Sequence, residues 1–155
     1  DIVYCLLITF SYSPTSVICI SVAPGDTEKD VETLASKVLK MRLWDDEAGG
    51  RWKQNVQDIN GEVLCVSQFT LLASTKKGSK PDFHGALGGD QAKELYQLFV
   101  SKIQQGYAAE RVKDGVFQAM MEVALVNDGP IDYIRNVGRA KRIEIRYLQA
   151  RNFEI

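Results

Sequence analysis

Ile2 to Phe10 is a nearly unbroken apolar run, and Val17 to Val22 is a second, parted by Ser11-Tyr12-Ser13-Pro14. Short runs rich in Ile, Val and aromatic residues, bounded by breakers, predict buried strands. Pro24-Gly25-Asp26-Thr27 then turns the chain, and Thr27 with Asp30 three residues on matches a capping box. Val31, Leu34, Ala35, Val38 and Leu39 follow at helical spacing and predict an amphipathic helix from Glu28 to about Leu43. Asp45 to Arg51 is polar with paired glycines and reads as a loop. Two strands are expected near Asn55–Ile59 and Glu62–Leu71, joined as a hairpin at Asn60-Gly61. Ala73 to Gly89 is a long loop, and loops of that length inside compact domains usually carry function. Asp90 is the expected cap of a second helix whose face holds Ala92, Leu95, Leu98, Phe99 and Ile103, with Gly106 ending it. Val116 to Val126 is a further predicted strand, closed by the turn Asn127-Asp128-Gly129-Pro130. The tail from Arg139 is basic, and Ile143, Ile145 and Tyr147 alternate as in one more strand. Strands outnumber helices and no strict βαβ repeat is visible. The expectation is an α+β fold: a mainly antiparallel, barrel-like sheet core with two amphipathic helices, in a single domain over 1–155.

Composition changes this picture little. The chain has 155 residues, 45% hydrophobic and 25% charged, which suits one soluble domain with one core. A formal net charge of -1 argues against a bulk electrostatic nucleic-acid binder, but leaves room for a local basic patch. Cys5, Cys19 and Cys65 form no CxxC pair, so neither a disulfide framework nor a zinc site is expected. All three lie in apolar runs, as inert buried thiols do, and a reducing, cytoplasmic compartment is the default. The run Ile2–Phe10 is too short to span a bilayer, which takes roughly 20 residues. No basic residue precedes it, so a buried strand is expected rather than a secretion signal, and no membrane partner.

The common catalytic sets are poorly represented. His84 is the sole histidine and sits in a polar loop with no cue to a partner, which suits a solvated side chain. No metal site, cofactor site or phosphate-cradling GxxxxGK[ST] loop is expected. Two features remain. Ser67-Gln68-Phe69-Thr70 ends the apolar strand Val63-Leu64-Cys65-Val66. It is either a half-exposed strand end or a set of backbone N–H groups and hydroxyls that can hold an oxyanion. Gly129-Pro130 is either an ordinary tight turn or, with a cis bond, a rigid backbone feature.

Taken in order, these segments resemble the D-aminoacyl-tRNA deacylase family from about residue 25 to about residue 130. The matching pieces are Gly25-Asp26-Thr27-Glu28, Val66-Ser67-Gln68-Phe69-Thr70-Leu71, Lys77-Gly78-Ser79-Lys80-Pro81-Asp82-Phe83, Gly115-Val116-Phe117 and Leu125-Val126-Asn127-Asp128-Gly129-Pro130. The resemblance implies hydrolysis of the ester of D-aminoacyl-tRNA, and of mischarged glycyl-tRNA, by a homodimer with active sites at the subunit interface. It assigns to Gly129 and Pro130 a Gly-cisPro wedge that enters the partner's pocket, captures the α-amino group with backbone carbonyls and excludes L-side chains. Ser67, Gln68, Phe69 and Thr70 would line the reaction centre, with the N–H groups of Gln68-Phe69 facing the ester carbonyl. Phe117, Met121 and Ala92 would surround the terminal adenosine. Thr75 matches a threonine considered as a nucleophile, although water attack assisted by the tRNA 2′-hydroxyl fits the missing triad better. Lys76, Lys77 and Lys80 would meet acceptor-stem phosphates.

The chain departs from the family at both ends. The family opens with a Met-Arg…Gln-Arg-Val strand whose arginine supports the Gly-Pro pair, whereas no arginine occurs here before Arg42. After Gly129-Pro130 the family continues Val-Thr, whereas this chain has Ile131-Asp132 and a longer basic tail, so 1–16 and 132–155 are atypical. The alternative function is therefore a catalytically weak or inactive member that serves as a nucleic-acid-binding module.

Overall fold

The computed structural model describes residues 2–9, 14–76, 78–122 and 133–137, with the backbone course alone for 2–9 and 133–137. The elements are β1 (Ile2–Thr9), β2 (Thr15–Ser21), α1 (Glu28–Lys40), β3 (Glu62–Ser67), α2 (Gly89–Gly106), β4 (Val112–Asp114) and β5 (Tyr133–Val137). Short 3-10 turns cover Phe69–Leu72 and Ala109–Arg111.

The five strands form one sheet in the order β4-β3-β2-β1-β5. β2, β3 and β4 pair in parallel, with Ile18 opposite Cys65 and Cys65 opposite Asp114. β1 pairs antiparallel with both β2 and β5. This corrects the expected mainly antiparallel, barrel-like core: among the described residues the sheet is open, and the three strands whose side chains are described pair with one another only in parallel. The physical reason lies in the connections. Neighbouring parallel strands need a crossover, usually a helix. α1 lies between β2 and β3, and α2 between β3 and β4, so the chain does contain two successive β-α-β crossovers.

Crossovers of one hand, running in one direction along a sheet, put their helices on the same face. Accordingly α1 and α2 pack on each other and on the sheet. α1 buries Val31, Leu34, Ala35, Val38 and Leu39, while α2 buries Ala92, Leu95, Tyr96, Phe99, Val100 and Ile103. They meet Ile18, Ile20, Val63, Cys65 and Val112 in one core. At the helix contact a Cβ on Gly106 would lie 2.8 Å from Leu39 Cδ1, so glycine there permits the close approach. Lys102 and Glu32 bridge the two helices at 2.7 Å on the exposed side.

The predicted start of α1 agrees with the structure. The Asp30 carboxylate accepts from the Thr27 N–H at 3.0 Å and the Thr27 hydroxyl at 2.7 Å. These bonds hold the Asp30 carboxyl below its ordinary range, the Thr27 side-chain bond contributing most. Thr27→Ala is expected to cost about 1 kcal/mol at neutral pH. A carboxyl lowered by folding stabilises above its unfolded pKa and loses that contribution as pH falls through the folded value. The difference between Thr27→Ala and the parent in urea unfolding should therefore shrink in acid.

Other local expectations fail for identifiable reasons. Asn55–Ile59 is a run of turns, not a strand. The Asn55 side-chain carbonyl accepts from the Gln57 and Asp58 N–H groups at 2.8 and 3.1 Å, and the Asp58 carboxylate accepts from the Asn55 N–H at 2.9 Å. Such side-chain bonds compete with a ladder. With no strand there, Asn60-Gly61 is no hairpin. Asn60 has φ 52, and Gly61 passes so close to Pro14 that a Cβ would meet its carbonyl at 2.7 Å. β3 stops at Ser67, where the chain tightens into the 3-10 turn. Residues 116–122 are not a strand, and the short strand lies earlier, at Val112–Asp114. The expected strand around 143–147 lies outside the described residues.

Candidate active site

The candidate site gathers at the C-terminal ends of the parallel strands β3 and β4. Ser67 is the last residue of β3, opposite Ile20 of β2. The Gln68 N–H is committed to the Ile20 carbonyl at 2.7 Å. The Gln68 carbonyl accepts a short bond from the hydroxyl of Ser21, which is only 2% exposed. Gln68 is thus pinned at both backbone groups, and its N–H is not free to face an ester carbonyl. The N–H groups of Phe69 and Thr70 make no hydrogen bond among the described residues, as the first N–H groups of a helical turn do not. The Gln68 side-chain amide donates to the Thr70 hydroxyl, which ties the two polar side chains together.

Phe69 is 57% exposed and meets Phe83 edge to face, with ring centroids 5.1 Å apart. The contact is possible because Ser74 and Asp82 exchange backbone bonds of 2.8 and 2.9 Å and close the intervening loop. Thr75 and Lys76 start that loop and Lys80 lies near its end, all exposed; Lys77 lies outside the described residues. Neither Lys76 nor Lys80 forms an ion pair among the described residues. The Thr75 carbonyl accepts from the Gly78 N–H at 3.4 Å. His84 is solvated, as expected, but not without a partner. Its side chain is 97% exposed, and its Nδ1 lies 2.5 Å from the Asp82 carboxylate. Bonds from the His84 backbone and ring hold the Asp82 carboxyl below its ordinary range.

A second group adjoins the end of β3. Phe117 packs against the core and lies 5.5 Å, centroid to centroid, from Tyr96 of α2. Ala92 is buried one helical turn before Tyr96, on the same face. Met121 folds over Gly115, where a Cβ would be 3.1 Å from its Sδ and Cε. The Gly115 N–H donates to the Cys65 carbonyl at 3.0 Å. Phe117 and Met121 are therefore placed beside β3 near Cys65, and Ala92 lies on the α2 face that carries Tyr96. Gly129 and Pro130 lie outside the described residues, as does Asp132. Of the cysteines with described side chains, Cys19 is half-buried and Cys65 buried, both with free thiols. Burial pushes the Cys65 thiol up to about 12, with the Asp114 charge adding to it, so it is not a thiolate nucleophile. Among the described residues no His, Cys, Asp and Glu group has metal-binding geometry, and no helix is long and apolar enough to cross a membrane.

Three residues carry more of the site than the sequence suggested. Phe83 lay inside a matching segment but without a role. Ser21 lay inside the predicted buried strand Val17–Val22 with no role of its own. Tyr96 sits between apolar neighbours on a helix face, where only its hydroxyl hinted at anything beyond packing.

The family model and the curated relatives agree with one another. The family model described as D-Tyr-tRNA(Tyr) deacylase matches residues 10–136. A D-aminoacyl-tRNA deacylase of Yarrowia lipolytica is 58% identical over 117 residues, covering 74% of this chain and 76% of that protein. One from Drosophila melanogaster is 46% identical over 121 residues, covering 78% of this chain and 75% of that protein. The solved structure of the c-Myc DNA Unwinding Element Binding Protein has a TM-score of 0.80 and 32% identity, covering 90% of this chain and 100% of its own. A match across most of the chain, with relatives covered over three quarters of their length, leads to one conclusion: the chain belongs to the D-Tyr-tRNA(Tyr) deacylase family.

Proposed function

We propose that this chain hydrolyses the ester of D-aminoacyl-tRNA, and of mischarged glycyl-tRNA, releasing the free amino acid and tRNA. The observation that carries the reading is the 58% identity to a D-aminoacyl-tRNA deacylase over 117 residues. Water attacks the ester carbonyl carbon, the tetrahedral oxyanion collapses, and the bond to the ribose oxygen breaks with a proton passing to that oxygen. The N–H groups of Phe69 and Thr70, unbonded among the described residues, are the donors available for the oxyanion, and loss of one such donor typically costs about 100- to 1000-fold in kcat. Ala92, Phe117 and Met121 hold the terminal adenosine, and Lys76, Lys77 and Lys80 meet phosphates. Gly129 and Pro130 from the second subunit of a homodimer capture the α-amino group and exclude L-side chains. A backbone wedge reads chirality without reading the side chain, so many D-amino acids fit. The reaction belongs in the cytoplasm, where aminoacyl-tRNA is made.

Thr75 is a loop residue in this scheme. Thr75→Ala should keep kcat within about threefold of the parent, well under the loss of ten thousandfold or more that follows removal of a true nucleophile. Single-turnover deacylation of D-tyrosyl-tRNA measures this, and a collapse of the rate would make Thr75 the nucleophile.

A second reading is a nucleic-acid-binding module without turnover. It is favoured by the likeness to the c-Myc DNA Unwinding Element Binding Protein at 32% identity. The readings separate in one experiment: incubation with radiolabelled D-tyrosyl-tRNA at several salt concentrations. Multiple turnovers of released amino acid support the hydrolase. Salt-dependent retention of intact substrate supports the module.

A further inference from the structure

We propose that Tyr96 is a positioning residue of the deacylation site: its buried hydroxyl locks β3 to β4 at Cys65 and Asp114, and so sets the ester-facing edge at Ser67–Thr70 against the adenosine floor at Phe117 and Met121. The inference rests on the function proposed above. Tyr96 is 2% exposed on α2. Its hydroxyl lies 3.0 Å from the Cys65 carbonyl and makes a shorter bond to the Asp114 carboxylate. Cys65 and Asp114 are register partners across β3 and β4. The Cys65 carbonyl also accepts the Gly115 N–H at 3.0 Å. The hydroxyl's one proton is shared between the Asp114 carboxylate and the Cys65 carbonyl, so the phenol bridges facing residues of the two strands, while the Gly115 N–H donates to the same carbonyl.

Both halves of the site start within two residues of this lock. Ser67 is two residues beyond Cys65, and Phe117 is two residues beyond Gly115. The Tyr96 ring lies beside Phe117, and Ala92 precedes it by one turn. Packing alone explains an aromatic ring here, since phenylalanine fills the same space. It does not explain a hydroxyl at a nearly closed position, where an unmatched polar group is costly. Burial first, then the Asp114 bond and charge, push the Tyr96 ionisation far upward. The phenol therefore stays protonated and serves as a donor, not as a base.

Misplacement of reacting groups by about 1 Å can cost about 100-fold in rate. Tyr96→Phe should therefore lower kcat for D-tyrosyl-tRNA by about 10- to 100-fold, with KM moving far less. Asp114→Ala, on an exposed residue that the core does not need, should lower kcat in the same direction. Asp114→Asn keeps an acceptor for the phenol and should restore most of the rate. The double variant Tyr96→Phe/Asp114→Ala should be no slower than Tyr96→Phe, because both changes break one unit. Parent-like kcat in folded Tyr96→Phe, or in Asp114→Ala, overturns the proposal, and if Tyr96→Phe does not fold, Asp114→Ala decides. Failure of the parent chain to release amino acid overturns the functional reading and this proposal together. Turnover by the parent with unaffected variants overturns this proposal alone.

Discussion

Phe99→Ala is expected to destabilise the fold by about 3–5 kcal/mol, the usual cost of emptying an aromatic site in a packed core. Phe99 is 1% exposed on α2 and belongs to the core formed by the two helices and the parallel strands. The loss combines the transfer of the ring from water with the cavity left behind. It is large against the roughly 5–15 kcal/mol that holds a typical domain together. Urea unfolding should show a much lower midpoint at unchanged slope, as expected when stability alone has changed. A midpoint shift equivalent to under about 1 kcal/mol would mean that the α1–α2 layer does not close the core as described.

Pro130→Ala is expected to lower activity as much as Tyr96→Phe does, and to lower chiral discrimination as well. On the proposed function, backbone carbonyls of Gly129-Pro130 bind the α-ammonium of the substrate. A hydrogen bond to a charged group is worth about 1.5–3 kcal/mol. Each 1.4 kcal/mol is roughly tenfold in rate. Loosening the wedge should then lower kcat/KM for D-tyrosyl-tRNA by about 10- to 100-fold. Discrimination against the L-form should fall with it. Parallel rates on the two enantiomers measure both numbers. A variant slower on D-substrate with an unchanged D/L ratio would assign chirality to another part of the pocket.

Where local physics decides the structure, the sequence was readable. α1 could be placed from Thr27, Asp30 and the spacing of Val31, Leu34 and Val38, because a cap and a 3.6-residue period are local signals. α2 was found for the same reason, although its flanking residue is Gly88 and Asp90 falls in the first turn. The pairing of strands was not readable. The apolar runs of β1, β2 and β3 look alike whether their neighbours run parallel or antiparallel. The deciding information lies in which strand the crossover returns to, a property of distant packing. β4, at Val112–Asp114, is too short to show a period. Asn55–Ile59 misled because side-chain bonds from Asn55 and Asp58 hold turns where the spacing suggested a strand. The site was legible as motif segments, not as hydrogen bonds. Nothing in Ser67-Gln68-Phe69-Thr70 indicates that Ile20 takes the Gln68 N–H while those of Phe69 and Thr70 stay unbonded among the described residues.

Enantiomer-selective ester hydrolysis is the central property of the proposed enzyme. The direct measurement is deacylation of D-tyrosyl-tRNA and L-tyrosyl-tRNA by the same enzyme preparation, side by side, with uncatalysed hydrolysis subtracted. The account predicts catalytic loss of D-tyrosine at substoichiometric enzyme while L-tyrosyl-tRNA decays at its uncatalysed rate. Equal catalysed rates on both enantiomers, or no turnover of either, would contradict it.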